Sequence, residues 1–314
     1  MRAVVYSGYG VMPSVADVAA PVCPADGVVI AVGATGVCRS DWHAWRGHDP
    51  VTLPHIGGHE FAGVVSSVGP EVSTWRAGDR VTVPFACGCG RCEFCLGGDA
   101  QVCPDQTQPG FTGPGSFAEL VAVHAADENL VAVPDGVDFV TAACLGCRFA
   151  TAFRAVTAHG RIRSGEWLAV HGCGGVGLSA VLIGVALGAR VVAVDVVPAA
   201  LARARELGAE VVLEGGSADA GAVRDAAAVI AEVTGGGAHV SVDALGSAGM
   251  ASCSVRCLRR RGRHVQVGLL LGGPTALPMD LVVARELEDA GRALAAMDGL
   301  GATAGMTVVR LRAG

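Results

Sequence analysis

Cys89, Cys92, Cys95 and Cys103 follow one another as C-x2-C-x2-C-x7-C in a loop rich in glycine and polar residues. Four thiolates so spaced can surround one tetrahedral zinc at about 2.3 Å and leave it no open position. That is structural chemistry: it holds a loop that burial alone would not fold. Cys87 is a spare thiol beside them. A second set is dispersed: Cys38, Ser40, Asp41 and His43 in GVCRSDWH, His59 and Glu60 in GGHE, and Cys144 and Cys147 in CLGCRF. Two cysteines and one histidine, with water in the fourth position, make a known catalytic zinc set. Asp41 and Glu60 are carboxylates suited to orienting such ligands. Alone, Cys38 or His59 would read as an ordinary buried residue; their neighbours change that. His48, His55, His124, His159, His171, His239 and His264 lack such company.

HGCGGVG offers a third chemistry. It follows the apolar run Leu168–Val170, opens a helix-like segment, and gives Gly172-x-Gly174-x-x-Gly177. Glycines in that context let backbone approach a pyrophosphate at a helix N-terminus. Asp195 closes the next strand-like run, about 20 residues on, where a carboxylate binds a ribose 2′-hydroxyl and repels a 2′-phosphate. The expectation is therefore NAD rather than NADP.

Composition narrows the field. All 23 basic residues are arginine, so there is no lysine for a Schiff base, a pyridoxal anchor or a Walker loop. The net charge of −6 argues against nucleic acid as a partner. No apolar run reaches the ~18 residues of a membrane helix, and MRAVVYSGYG reads as a strand and turn rather than a signal peptide. The expectation is a soluble cytoplasmic protein with metal-binding cysteines rather than disulfides.

The elements that must position these residues change character along the chain. The first ~150 residues are short strands between glycine and proline turns, such as Val28–Val32, Ala62–Val68 and Arg80–Val83. Then strand-like runs at Leu168–His171, Val191–Asp195, Val240–Asp243 and His264–Gly268 alternate with helical patterns at Val176–Leu187 and Pro198–Leu207. That alternation implies an α/β fold with a doubly wound parallel sheet. The arginines at 259, 260, 261 and 263 read as a solvated face or adenosine-side contacts just before a strand. Cys253 and Cys257 read as core.

Together these segments resemble the zinc-dependent alcohol dehydrogenases of the medium-chain dehydrogenase family. CRSDWH, GGHE, the four-cysteine loop, GCRFATAF and GCGGVG stand in the family's order up to about Glu288. The resemblance implies a GroES-like β-rich catalytic domain over residues 1–147 and a Rossmann cofactor domain over 148–288. It implies one catalytic zinc, one structural zinc and NAD. Cys38, His59 and Cys147 then look like the catalytic zinc ligands, Cys147 rather than Cys144 because it directly precedes RFATAF; Glu60 is counted with that set. Ser40 and His43 look like the proton relay, Arg39 and Val267 like cofactor contacts, and Gly172, Gly174, Gly175, Val176, Gly177 and Asp195 like the dinucleotide site. Trp42, Trp45 and Phe85 fall where the family lines its substrate pocket. The implied substrates are primary or small secondary alcohols and their aldehydes or ketones. Polyols, hydroxy-amino acids and formaldehyde adducts are the nearest alternatives, and a zinc- and NAD-binding protein without turnover is the rival. A homodimer or tetramer is implied.

Two departures stand out. No basic residue follows Asp195 in Val196–Ala200. After Glu288 the chain runs into a segment, residues 289–314, that resembles only the family's last helix and strand. A deletion there would weaken nicotinamide binding and alter the subunit interface.

Overall fold

The computed structural model describes residues 1–215, 220–270 and 275–286. The expected shortening after Glu288 lies outside the described residues. Contacts divide the chain into two units, Met1–Thr151 and a second beginning at Ala152. The division thus falls a few residues later than 147/148. No helix among the described residues is long and apolar enough to cross a membrane.

The first unit holds strands β1 (Arg2–Val5), β2 (Ser14–Asp17), β3 (Val28–Gly36), β4 (Glu60–Val68), β5 (Arg80–Thr82), β6 (Leu120–Val123) and β7 (Val131–Ala132). The first two form an antiparallel ribbon; the rest form one antiparallel sheet in the order β6-β3-β4-β5-β7. Valine-rich stretches favour strands because branched side chains pack well on a pleat. Val28, Ile30, Phe61, Val65, Val81, Val83, Val121 and Val123 make the core of that sheet. Four short helices decorate it: α1 (Arg39–Trp45), α2 (Glu93–Leu96), α3 (Ala126–Asn129) and α4 (Phe139–Ala143). A wide π-helical turn, Leu145–Phe149, runs on into α5 (Ala150–Arg154). Such turns are rare and recur at functional sites; this one carries Cys147.

The second unit is built on five parallel strands: β8 (Trp167–His171), β9 (Arg190–Asp195), β10 (Val211–Glu214), β11 (Ala238–Asp243) and β12 (Leu258–Gln266). Their order is β10-β9-β8-β11-β12, with helices α6 (Gly175–Ala186), α7 (Pro198–Glu206), α8 (Ala220–Val233) and α9 (Ala248–Arg256) between successive strands and α10 (Met279–Glu286) after them. The direction of winding reverses between β8 and β11, the switch point beside which such sheets take ligands at their carboxyl ends. Every residue of β8 is buried, as a strand covered on both faces requires.

All five strands end on polar residues at that edge: His171, Asp195, Glu214, Asp243 and Gln266. Three of these, His171, Asp243 and Gln266, take part in side-chain hydrogen-bond chains. His171 Nε2 lies 3.1 Å from Ser241 Oγ, Ser241 Oγ 2.5 Å from Ser254 Oγ, and Ser254 Oγ 2.9 Å from His264 Nδ1. Gln266 donates to Asp243 (2.9 Å), whose other oxygen accepts from the amides of Leu245 and Gly246. Burial, then the nearby His264, pushes His171 down to about 3, so it serves as a neutral hydrogen-bonding group. Cys253 and Cys257 are fully buried core residues.

The last strand corrects the reading of the arginine run. Strand β12 starts at Leu258, so Arg259, Arg260, Arg261 and Arg263 lie inside it, across a register irregularity against β11. The run occupies the beginning of the strand, opposite the carboxyl edge, and adenosine-side contacts are not its place. Arg263 is instead committed to Glu166 (2.6 Å) and to the carbonyl of Gly160 (2.6 Å).

The glycine loop shows why its glycines differ. A Cβ on Gly177 would sit 1.7 Å from the carbonyl oxygen of Gly172, so α6 can approach the loop only without one. A Cβ on Gly174 would meet nothing within 4 Å. Gly177→Ala should therefore destabilise this unit by about 1–3 kcal/mol, seen as a fall of several degrees in melting midpoint. Gly174→Ala should leave the midpoint unchanged; an equal loss in both variants would contradict the steric account.

Candidate metal centres and dinucleotide loop

The first cluster brings Cys38, His59, Glu60 and Cys147 together: their ligand atoms all lie within 4.8 Å of one another. Three separate segments supply them. Cys38 stands at the N-cap of α1, His59 and Glu60 at the start of β4, and Cys147 in the π-helical turn. Cys144, the other half of C-x2-C, is exposed and does not join the cluster.

Asp41 holds two of these segments. One oxygen accepts from the Cys38 amide (2.8 Å); the other accepts from the Gly58 amide (3.1 Å) and lies 3.0 Å from His59 Nδ1. That contact places a proton on Nδ1 and leaves Nε2 as the nitrogen available to a metal. His59 Nε2 is buried and has no hydrogen-bond partner. An orphaned imidazole nitrogen facing two sulfurs fits a zinc ion, which takes neutral imidazole and thiolate together. Glu60 ties the third segment. It is fully buried and takes both Nε (2.9 Å) and Nη2 of Arg148 on its two oxygens, and it also accepts the Arg148 amide (3.1 Å). Arg148, which sequence reasoning missed, follows Cys147 directly in the GCRF run and positions it.

Titration in this pocket follows from the same contacts. The Cys147 thiol beside it, then partial burial working the other way, then His59, bring Cys38 down to about 3. Cys147 is raised, first by donating to Cys38 and then by burial. Burial opposes charge on His59, but Asp41 and Cys38 outweigh it and raise the imidazole to about 9. In the metal-free chain, protons on His59 and Cys147 stand where a dication would otherwise balance the thiolates.

Around this cluster, Phe85 and Phe111 pack edge-on against His59 at ring distances of 5.1 and 5.2 Å, and against each other at 5.6 Å. Phe85 was expected there; Phe111, 26 positions on in a glycine-rich loop, gave no signal. Ser40 Oγ lies 3.8 Å from Cys38 Sγ. Trp42 and Trp45 line a separate cavity of about 220 Å³ with Tyr6, Val37 and Phe117, and neither Phe85 nor a metal-site sulfur borders it. Trp45 donates its indole N–H to Val11 (2.6 Å), and Arg39 stacks on Trp42 at 3.7 Å. His43 lies 3.1 Å, nitrogen to nitrogen, from His48.

The second cluster is Cys89, Cys92, Cys95 and Cys103, again with all sulfurs within 4.8 Å. Zn–S bonds of about 2.3 Å require tetrahedral sulfurs about 3.8 Å apart; Cys92 lies 3.5 Å from Cys95 and 3.7 Å from Cys103. Cys87 belongs elsewhere: it is buried in the sheet core, and burial raises its thiol to about 12. Asn129, unnoticed in the sequence, fixes the loop. It exchanges hydrogen bonds of 2.8 and 2.9 Å with the backbone of Gly88 and donates to the carbonyls of His124 and Ala125.

In the second unit, Gly174 is the N-cap of α6, and Gly175, Val176 and Gly177 begin it. Asp195 Oδ2 accepts from the Cys173 amide (2.6 Å) and Oδ1 from the Val197 amide (2.8 Å). The ribose-binding candidate is thus held by the loop and by the start of α7. Val267, expected near a nicotinamide, follows β12 with its amide on the Asp243 carbonyl (2.9 Å).

Known proteins resemble this chain in sequence and fold. The alcohol dehydrogenase GroES-like domain matches residues 24–135, and the zinc-binding dehydrogenase domain matches residues 175–298. An alcohol dehydrogenase of Geobacillus stearothermophilus is 36% identical over 272 residues, 86% of this chain and 78% of that protein. Among solved structures, an alcohol dehydrogenase from Thermus sp. ATN1 superposes with a TM-score of 0.81 at 29% identity, over 90% of this chain and 82% of that one. An NAD-dependent alcohol dehydrogenase superposes at 0.79 with 30% identity, over 91% and 82%.

Asp41→Asn should leave the fold intact and weaken metal binding at Cys38–His59–Cys147 by about 10–100-fold, read by competition with a chromogenic chelator. Unchanged affinity would remove Asp41 from the centre.

Proposed function

Because the chain belongs to the zinc-dependent alcohol dehydrogenases of the medium-chain family, we propose that it moves a hydride between NAD and a primary or small secondary alcohol, or the matching aldehyde or ketone. The observation that carries this reading is His59 Nε2, buried, partnerless and gathered with two sulfurs while Asp41 engages its other nitrogen.

Bound at Cys38, His59 and Cys147, zinc would supply Lewis acidity to the alcohol oxygen, and NAD would supply the hydride acceptor. The chain's own residues do the rest. Asp41 fixes the tautomer and direction of His59. Both Glu60 oxygens are already taken by Arg148, which fits Glu60 for holding Cys147 in place rather than for a permanent ligand bond. Phe85 and Phe111 wall His59 with apolar edges that exclude water and favour a small apolar substrate. Ser40 Oγ, beside the Cys38 sulfur, takes the hydroxyl proton, and His43 carries it onward. His43 is suited to accept because burial first, then Arg39 and His48, hold it below the usual histidine value.

The four-cysteine cluster is assigned a second, structural zinc. The choice of NAD over NADP rests on Asp195. Its carboxylate faces the loop, and Val196, Val197, Pro198, Ala199 and Ala200 offer no cation to a 2′-phosphate.

Zinc-loaded protein should hold two ions per chain and reduce NAD with short alcohols. Cys38→Ser should cost one ion and essentially all turnover. Cys92→Ser should cost the other ion and lower the melting midpoint. Folded protein with both ions and no turnover on any alcohol would overturn the reading. Asp195→Ala should raise NADP use relative to NAD by about tenfold or more in kcat/KM; an unchanged ratio would remove Asp195 from cofactor choice.

A further inference from the structure

His48 follows α1 on a loop that doubles back onto it. The amides of His48 and Asp49 both donate to the carbonyl of His43, at 2.9 and 3.4 Å. Gly47 makes that return possible with a backbone φ of +76°. Beyond it, Tyr9 anchors the loop by exchanging hydrogen bonds with the carbonyl (2.9 Å) and amide (3.1 Å) of Val51. The result is a direct contact between His43 Nδ1 and His48 Nδ1, 3.1 Å, with Trp42 edge-on to both rings at 5.0 and 5.2 Å. His43 is half-buried and His48 exposed. Sequence spacing gave His48 no role.

We propose that His48 is the outer positioning residue of the proton relay, taking from His43 the proton that alcohol oxidation releases and handing it to solvent. The inference rests on the alcohol dehydrogenase reading above. In oxidation the substrate loses a hydride to NAD and a proton to the relay, and that proton must reach water. His43 Nδ1–H donates to His48 Nδ1, which leaves His43 Nε2 bare to accept. When an N–H bond forms at Nε2, the Nδ1–H bond of His43 breaks as one forms at His48 Nδ1. The Nε2–H of His48 then breaks to a water or buffer base. Both rings end neutral with their protons on the other nitrogen, and tautomer exchange with solvent resets them.

The surroundings favour outward passage. The titratable and charged groups facing His43 are Arg39 and Cys38 on its own element and His48 and Asp49 on the loop. Burial and the Arg39 guanidinium disfavour a resident charge on the inner ring, whereas the exposed ring is solvated.

His48→Gln keeps an acceptor for His43 Nδ1–H but cannot carry a proton, and it removes the like-charge neighbour that holds His43 down. The apparent pKa of His43 should therefore rise. The acidic limb of kcat for alcohol oxidation should move to higher pH, and kcat near neutrality should fall about tenfold with the alcohol KM unchanged. Added imidazole should restore the rate of His48→Ala. In a His43→Gln background, His48→Gln should change kcat less than twofold. Equal losses in both backgrounds, or no shift of the limb, would overturn the proposal. A second readout separates it from the parent reading: NMR titration of histidine-labelled, zinc-loaded protein without cofactor. A His43 titration that moves in His48→Gln supports the coupling whether or not alcohols turn over, and an unmoved one rejects it. Absence of wild-type turnover with NAD and alcohols would count against the parent reading instead.

Discussion

The first unit depends on one buried carboxylate. Asp41 bonds the backbone of Cys38, the backbone of Gly58 and the ring of His59. A carboxylate out of water must satisfy its oxygens or cost several kcal/mol. Here that requirement is met only when the turn before α1 and the turn before β4 sit at one distance and orientation. The centre is therefore shaped before any ion arrives, and a preformed site loses less free energy to ordering when it binds. Glu60 and Arg148 repeat the device one residue further along each segment. A fully buried acid meets a guanidinium in a two-point fork, whose planar geometry also fixes the direction of approach.

The two cysteine-bearing clusters use the same ligand chemistry under opposite conditions. In the four-cysteine loop every sulfur lies on one short segment, so a bound ion closes small loops and substitutes for a core. The fold adds one support from outside that segment: the Gly88 backbone is locked by Asn129. In the other cluster the ligands come from three distant segments and the sheet itself brings them together. One His59 nitrogen is spent on Asp41 and the other has no hydrogen-bond partner. Aromatic edges from Phe85 and Phe111 then close over His59, a dry setting in which charge interactions are stronger than in water.

How much of this was legible in the sequence follows from the range of each interaction. The two candidate ligand clusters were legible because Cys38 and Asp41, His59 and Glu60, and the cysteine quartet sit in short motifs whose spacing reflects local geometry. The parallel sheet was legible from alternating strand and helix patterns and from Asp195 standing one strand beyond the glycine loop. Arg148, Phe111, Asn129 and His48 were not, because each acts through a contact set by the tertiary fold or by a loop return that no spacing rule encodes. The start of β12 was misplaced for a related reason. A run of arginines reads as surface, yet Leu258 begins the strand and Arg263 buries its charge against Glu166. Trp42 and Trp45 were legible as aromatic residues near Cys38, but not in their partners: they line a cavity that no metal-site sulfur borders.

On the proposed NAD reading, Asp195 would be selective without a cation nearby. Its two oxygens already accept the amides of Cys173 and Val197, so it neither swings away nor needs a guanidinium to hold it. A carboxylate oxygen offers two lone-pair directions, and one amide on each leaves the others free for hydroxyl donors. Ribose hydroxyls can give those hydrogen bonds; a phosphate cannot, and it meets a fixed negative charge whose orientation the backbone has set. On that proposal the missing basic neighbour after Asp195 would remove a route to NADP more than it would weaken NAD. The same amide contact explains Cys173: what the loop needs at that position is a small buried side chain and a free N–H, and both serve the acid one strand away.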